Sequence, residues 1–160
     1  MRQRQDSRPY IRQIDFMFYH EREIRKAVED AREERETPDI RNGSGLPDPT
    51  VGEVIRRLTP VKSVFIGGNE IEINGQMTVV DAVEVKYPER WLTVIDKTYA
   101  WCKRQTGCHY EAARKRYLGQ GYVAICMALN ISQNVFFSLI EKIRMYAAIQ
   151  AAQLNLICVD

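Results

Sequence analysis

The chain has 160 residues, of which 45% are apolar and 28% charged, and its formal net charge is +2. That length and composition suit one globular domain, or one domain with an appended arm, and argue against a wholesale polyanion binder. The basic start "MRQRQDSRPYIRQ" has no apolar core behind it, and no apolar run approaches the roughly 20 residues of a membrane span, so neither a secretory signal nor a membrane partner is expected. Charge is unevenly spread: residues 1–60 hold 12 basic and 12 acidic side chains, residues 61–99 hold 4 and 6, and residues 100–160 hold 7 and 3.

Ile14 to Glu36 is expected to form one helix, because Ile14, Phe16, Met17, Ile24, Ala27, Val28 and Ala31 recur near the helical period. Charges of both signs surround that stripe at spacings of three and four, as on a solvated helix face. Thr37-Pro38 ends the helix, since the residue before proline disfavours the helical region. Residues 38–50, "PDIRNGSGLPDPT", hold three prolines and two glycines and read as a hinge. The chain thus divides into an N-terminal helical arm (1–37), the hinge (38–50) and a body (51–160). The arm has an apolar stripe with little chain to cover it, so homo-oligomerisation through the N-terminal helix is expected. Thr50 and Glu53 suit a capping box for a short helix over "VGEVIRRL".

Residues 61–85 change to strand patterning. "VKSVFI" and "EIEI" alternate about Gly67-Gly68-Asn69, which is a hairpin signal, and Asn74-Gly75 before "MTVV" is a second turn signal. The pattern predicts a small two- or three-stranded meander. Pro88 then opens a helix that places Trp91, Leu92, Ile95, Tyr99 and Cys102 or Trp101 on one side. Gly107 stops it, "HYEAARKRYL" starts another, and Gly119-Gln120-Gly121 breaks the chain again.

From Tyr122 an apolar helix pattern runs to Leu129, breaks at Asn130-Ile131-Ser132 and restarts. That is the pattern of a helix-turn-helix, in which two helices meet at roughly 90–120° over a short turn. Ile125 and Leu129 face inward, Cys126 is the small residue at the crossing, Asn130 tolerates a left-handed backbone, and Ile131 plugs the corner. Ser132 suits an N-cap, with Phe136 and Leu139 on the inner face of the second helix. The outward positions Gln133, Asn134, Phe137 and Ser138, with Ser132, are the candidate contacts to base edges of double-stranded DNA. Arg114, Lys115 and Arg116 before the motif, and Lys142 and Arg144 after it, are the candidate phosphate contacts.

The segment "RKRYLGQGYVAICMALNISQNVFFSLIEKI" resembles region four of bacterial sigma factors. More of the chain is similar to the RinA/ArpU type of phage late transcriptional regulators. That similarity rests on the order of "IDFMFYHEREIRKAVEDARE", "DPT", "RRLTPVKSV", "YPERWLTVIDKTY" and "AAIQAAQLNLICV". The resemblance implies a phage or prophage activator of late genes that acts in the bacterial cytoplasm, binds DNA and touches host RNA polymerase. Members of this type commonly carry basic residues beside the aromatic pair of the recognition helix. Here the pair is Phe136-Phe137, and Gln133 and Ser138 are neutral.

The fold expected is therefore mainly α with a small β-hairpin or meander and a sigma region-four-like helix-turn-helix over about residues 108–146. A small-terminase-like packaging subunit and a helical protein-interaction module are the alternatives. An enzyme is disfavoured, since the chain lacks a nucleotide loop, a His/Glu zinc motif and a glycine-flanked nucleophile. Cys102, Cys108 and His109 lack the two-residue cysteine spacing of a zinc knuckle, so neither a metal nor a cofactor is expected, and the four cysteines read as reduced thiols.

Overall fold

The computed structural model describes residues 8–36 and 59–158. The expected hinge (38–50) and the short helix after it lie outside the described residues. The elements are α1 (Pro9–Tyr19), α2 (Glu21–Glu36), β1 (Ser63–Ile66), β2 (Asn69–Ile73), β3 (Gln76–Val80), β4 (Val83–Lys86), α3 (Pro88–Arg104), α4 (His109–Tyr117), α5 (Tyr122–Leu129) and α6 (Gln133–Gln153). The fold is mainly helical with a small antiparallel β element, as the patterning implied. The chain forms two compact units, Met1–Glu21 with Arg90–Asp160, and Arg22–Glu89.

The first unit is built on α6. Its buried face runs Phe136, Leu139, Ile140, Ile143, Ala147, Ala148 and Ala151, the spacing of one helix side. The small residues in its second half let neighbouring helices approach closely. Helices α1, α4 and α5 pack on it. α3 contributes buried Val94, Ile95, Tyr99 and Cys102, and its half-buried Trp101 stacks on Tyr146 of α6 with ring centroids 4.6 Å apart. An aromatic cluster joins α1, α3 and α4, with Phe18 at 5.6 Å from Tyr99 and 5.0 Å from Tyr117.

The N-terminal helix is not one helix. It breaks at His20, whose backbone leaves the helical region at φ −101°, ψ 16°. The apolar stripe of α1, Ile11, Ile14, Met17 and Phe18, would next need an apolar residue near position 21. Glu21 stands there instead and pairs with Arg114 at 3.3 Å. α1 also begins earlier than the apolar period suggested, at Pro9, a favoured residue for the first helical turn. All four stripe residues of α1 are buried within the single chain, so α1 is part of the first unit's core rather than a free arm.

One ion pair ties α1 to α6. Arg144 donates through Nε (3.1 Å) and Nη2 (2.5 Å) to the two oxygens of Asp15, and Tyr117 of α4 donates its hydroxyl to Asp15 Oδ1 at 2.7 Å. Burial, and then the charge of Asp15, raise the Tyr117 hydroxyl well above its usual range, so it stays a donor. The Arg144 and Asp15 side chains are only 16% and 19% exposed. A bidentate pair so placed is strong only while both partners are present.

In the second unit the β element is a single long hairpin with a kink in each arm, not a meander. β1 pairs with β4 (Ser63 opposite Lys86, Ile66 opposite Val83), and β2 pairs with β3 (Asn69 opposite Val80, Ile73 opposite Gln76), both antiparallel. The turn is therefore Asn74-Gly75, both at positive φ (53° and 79°), as a two-residue hairpin loop with the strand twist requires. Gly67-Gly68 is not a turn; it bends one arm while Asp81, at φ 61°, bends the other. Gly68 is required there, because a Cβ would lie 2.8 Å from Val79 Cγ1 and 3.0 Å from the Val80 carbonyl oxygen. Among the described residues of this unit, Ile24, Val28, Val61, Val64, Ile66 and Val85 are the buried apolar side chains, and Glu89 accepts from the Val61 N–H and pairs with Arg32.

Replacing Arg144 by Ala leaves Asp15 half-buried without its cation. We expect a loss of about 3 kcal/mol, read as a melting temperature lower by roughly 6–12 °C in circular dichroism. An unchanged melting temperature would show that the pair is effectively solvated.

Candidate nucleic-acid interface

The corner forms because two helices end and start with their own caps. α4 closes on Gly119 at φ 95°, with the Gly119 N–H donating to the Arg116 carbonyl and the Gln120 N–H to the Lys115 carbonyl. α5 closes on Asn130 in the left-handed region (φ 53°, ψ 49°), with the Ile131 N–H donating to the Cys126 carbonyl at 3.1 Å. Both are Schellman-type ends, which satisfy the last carbonyls and turn the chain sharply. α6 then starts on Ser132, whose hydroxyl accepts from the Val135 N–H at 3.3 Å. The axes of α5 and α6 meet at 104°.

Ile125 and Phe136 fill the inside of the corner and are fully buried, with Leu139 beside them on α6. Leu129, Cys126 and Ile131 are only half-buried, so the inward packing rests more on Ile125 and Phe136 than the residue pattern suggested. Phe137 does not stand free. It is half-buried, its ring 5.4 Å from Tyr122 of α5 and 5.3 Å from Phe136, so it braces the corner from outside.

Ser132, Gln133, Asn134 and Ser138 are all exposed, and they share the start of α6. The first turn of a helix carries unpaired backbone N–H groups and the positive end of the dipole, and acidic residues are absent from it here. These four side chains can accept and donate hydrogen bonds to any polar edge placed before them.

The five basic residues separate into two groups. Arg144 is held by Asp15, and Arg114 is held by Glu21 with its guanidinium 5.1 Å from the Tyr99 ring centroid. Lys115, Arg116 and Lys142 make no ion pair among the described residues. Lys142 is exposed, Lys115 and Arg116 half-buried, and Arg116 Nε is buried without a hydrogen-bond partner. Two exposed cations that the patterning did not single out, Lys103 and Arg104, end α3, and Lys103 Nζ lies 4.7 Å from the Tyr110 ring centroid. Their signal was present in the last turn of the α3 segment, where basic residues favour the helix C-terminus.

α5 adds a different surface. It carries no charge, and Val123 (57%) and Met127 (79%), one turn apart, are exposed, as are Leu118 and Val135 nearby in the chain. Burial, and then Lys142, lower the pKa of His109, so its imidazole is neutral at pH 7. Burial pushes the Cys102 thiol up to about 11, all four cysteines are free, and no group of three His, Cys, Asp or Glu side chains among the described residues is placed to hold a metal ion. No single described helix is long and apolar enough to cross a membrane. Comparisons with family models, with curated proteins and with solved structures return no match.

The corner gives its own test. Asn130→Gly keeps the left-handed turn and should hold or slightly raise stability, whereas Asn130→Val forces a branched side chain into that region and should cost about 1–2 kcal/mol. Equal melting temperatures for the two variants would mean that the turn does not depend on residue 130.

Proposed function

We propose that the chain is a DNA-binding transcription regulator of phage or prophage type, with α5 and α6 acting as a helix-turn-helix. One observation carries this reading: a capped, near-perpendicular helix corner presents Ser132, Gln133, Asn134 and Ser138, all exposed, at the start of its second helix. In such motifs the second helix enters the major groove with its N-terminal residues against base edges. Asn134 and Gln133 have the donor–acceptor pair that matches adenine. Lys115, Arg116 and Lys142 supply phosphate contacts, while Arg114 and Arg144 serve the scaffold that holds α6. Activation of late genes and contact with host RNA polymerase follow from the resemblance to RinA/ArpU-type regulators and belong to the same proposal, as does a bacterial cytoplasmic location.

A second reading, a helical protein-interaction module, draws on the uncharged α5 face. Val123 and Met127 are exposed where a DNA-bound first helix would approach the phosphate backbone, and phosphate binding favours cations there. The two readings separate in one experiment. Fluorescence anisotropy with duplex fragments of the genome that encodes the chain should show binding at 50 mM salt. The slope of log affinity against log salt should be about −3, for about three phosphates neutralised at −0.9 each. Asn134→Ala should lose about 1–3 kcal/mol of discrimination at one base pair and keep nonspecific binding, and Lys115→Ala should weaken all sequences alike and flatten the slope by about one. Absence of binding at 50 mM salt, with Met127→Glu abolishing capture of a protein partner, would establish the second reading instead.

A further inference from the structure

The hairpin arm formed by β2 and β3 is exposed along its whole length, apart from half-buried Val80 at its base. It carries a set of exposed apolar side chains, Ile71 (40%), Ile73 (46%), Met77 (65%) and Val79 (55%). Among the described residues each of its strands pairs only with the other, so both outer edges offer unpaired backbone groups. Open edges of this kind pair with further strands unless something blocks them.

The two edges differ. In a two-residue hairpin the pair that closes the turn exchanges hydrogen bonds, and the pattern alternates from there. Ile73–Gln76, Ile71–Thr78 and Asn69–Val80 are thus the bonded pairs, which leaves the backbone groups of Glu70 and Glu72 on β2, and of Met77 and Val79 on β3, facing outward. Two copies of β2 pairing antiparallel about Ile71 would set Glu70 against Glu72 twice, which repels. β3, "QMTVV", has no charge. Two copies of β3 pairing antiparallel about Thr78 set Met77 against Val79 twice, an apolar match, and Thr78 against Thr78.

We propose that β3 is a self-association edge, and that its occupant is β3 of a second copy of this chain, related by a two-fold axis through Thr78. The outward backbone groups of Met77 and Val79 then bond those of the second copy's Val79 and Met77, giving a four-stranded antiparallel sheet. Directly opposed residues share a face, so Met77 and Val79 of both copies form the centre of one face with Glu70 and Glu72 at its rim. An apolar centre inside a charged rim is the usual anatomy of a protein interface. The identical patch serves both partners, as a two-fold contact demands. The glutamates block β2, so the assembly stops at two copies. This edge uses none of the residues of the α5–α6 corner, and the proposal stands whether or not the chain binds DNA.

The test uses the full chain. At the two-fold axis Thr78 faces its own copy as a non-hydrogen-bonded pair, with Cα atoms about 4.5 Å apart, within disulfide reach. Under mild oxidation Thr78→Cys should give a covalent dimer on a non-reducing gel well above the background of the parent with its four native cysteines. Glu72→Cys, also exposed but on the blocked edge, should stay at background. Light scattering should give a concentration-dependent dimer for the parent, and monomer at the same concentration for Val79→Glu, which places a charge at the centre of the contact. A parent that is monomeric at every concentration with Thr78→Cys at background overturns the proposal. So does a dimer that survives Val79→Glu, since it must then use another surface.

Discussion

Asn130 holds its backbone in the left-handed region, and the exposed polar surface of the first unit depends on that one residue. A right-handed residue there would let α5 run on into α6 as one apolar helix. The left-handed turn instead spends the last carbonyls of α5 on the next two N–H groups and sends the chain off at 104°. Ser132 then receives the new helix, and its cap fixes where that helix begins. The consequence is chemical: the free N–H groups, the positive helix end and the side chains of Gln133 and Asn134 all point away from the core.

A corner is useful only if its second helix cannot slide. α6 is held along its buried face by Phe136, Ile140, Ile143 and the alanines beyond, and across it by Asp15, which binds Arg144 of α6 and Tyr117 of α4 at once. The first residues of the described chain are therefore part of the scaffold. Arg8 repeats the theme more loosely, pairing with Glu141 of α6 at 2.6 Å between side chains about 40% exposed, where solvent screens the contact and little stability is gained. Two of the five basic residues flanking the corner thus hold it in place, and three remain to meet an anion.

Helix content, the break after Gly119 and the capped corner were legible because each rests on local chemistry that a single residue type supplies: glycine or asparagine for a left-handed end, serine for a cap, proline for a first turn. What was not legible depended on partners distant in the chain. The apolar stripe of the N-terminal segment lapses at Glu21 and resumes at Ile24, and the partner of Glu21, Arg114, lies 93 residues further along the chain. Gly67-Gly68 and Asn74-Gly75 are equal turn signals by composition; register decided between them, since closing on Asn74-Gly75 lets β1 reach β4. Arg144 reads as a surface cation until Asp15 is seen beside it, and Phe137 reads as outward until Tyr122 is seen against it. The polar residues of the candidate site were found because they sit at the start of a helix, where burial has no say.

The central claim is that the start of α6 meets duplex DNA. Amide chemical-shift mapping of the labelled full chain, titrated with a genomic duplex that it binds, tests it residue by residue. The account predicts the largest shifts at Ser132, Gln133, Asn134 and Ser138, smaller ones at Lys115, Arg116 and Lys142, and none in the β2–β3 arm. Shifts confined to Val123 and Met127 of α5, with the start of α6 unmoved, would contradict it.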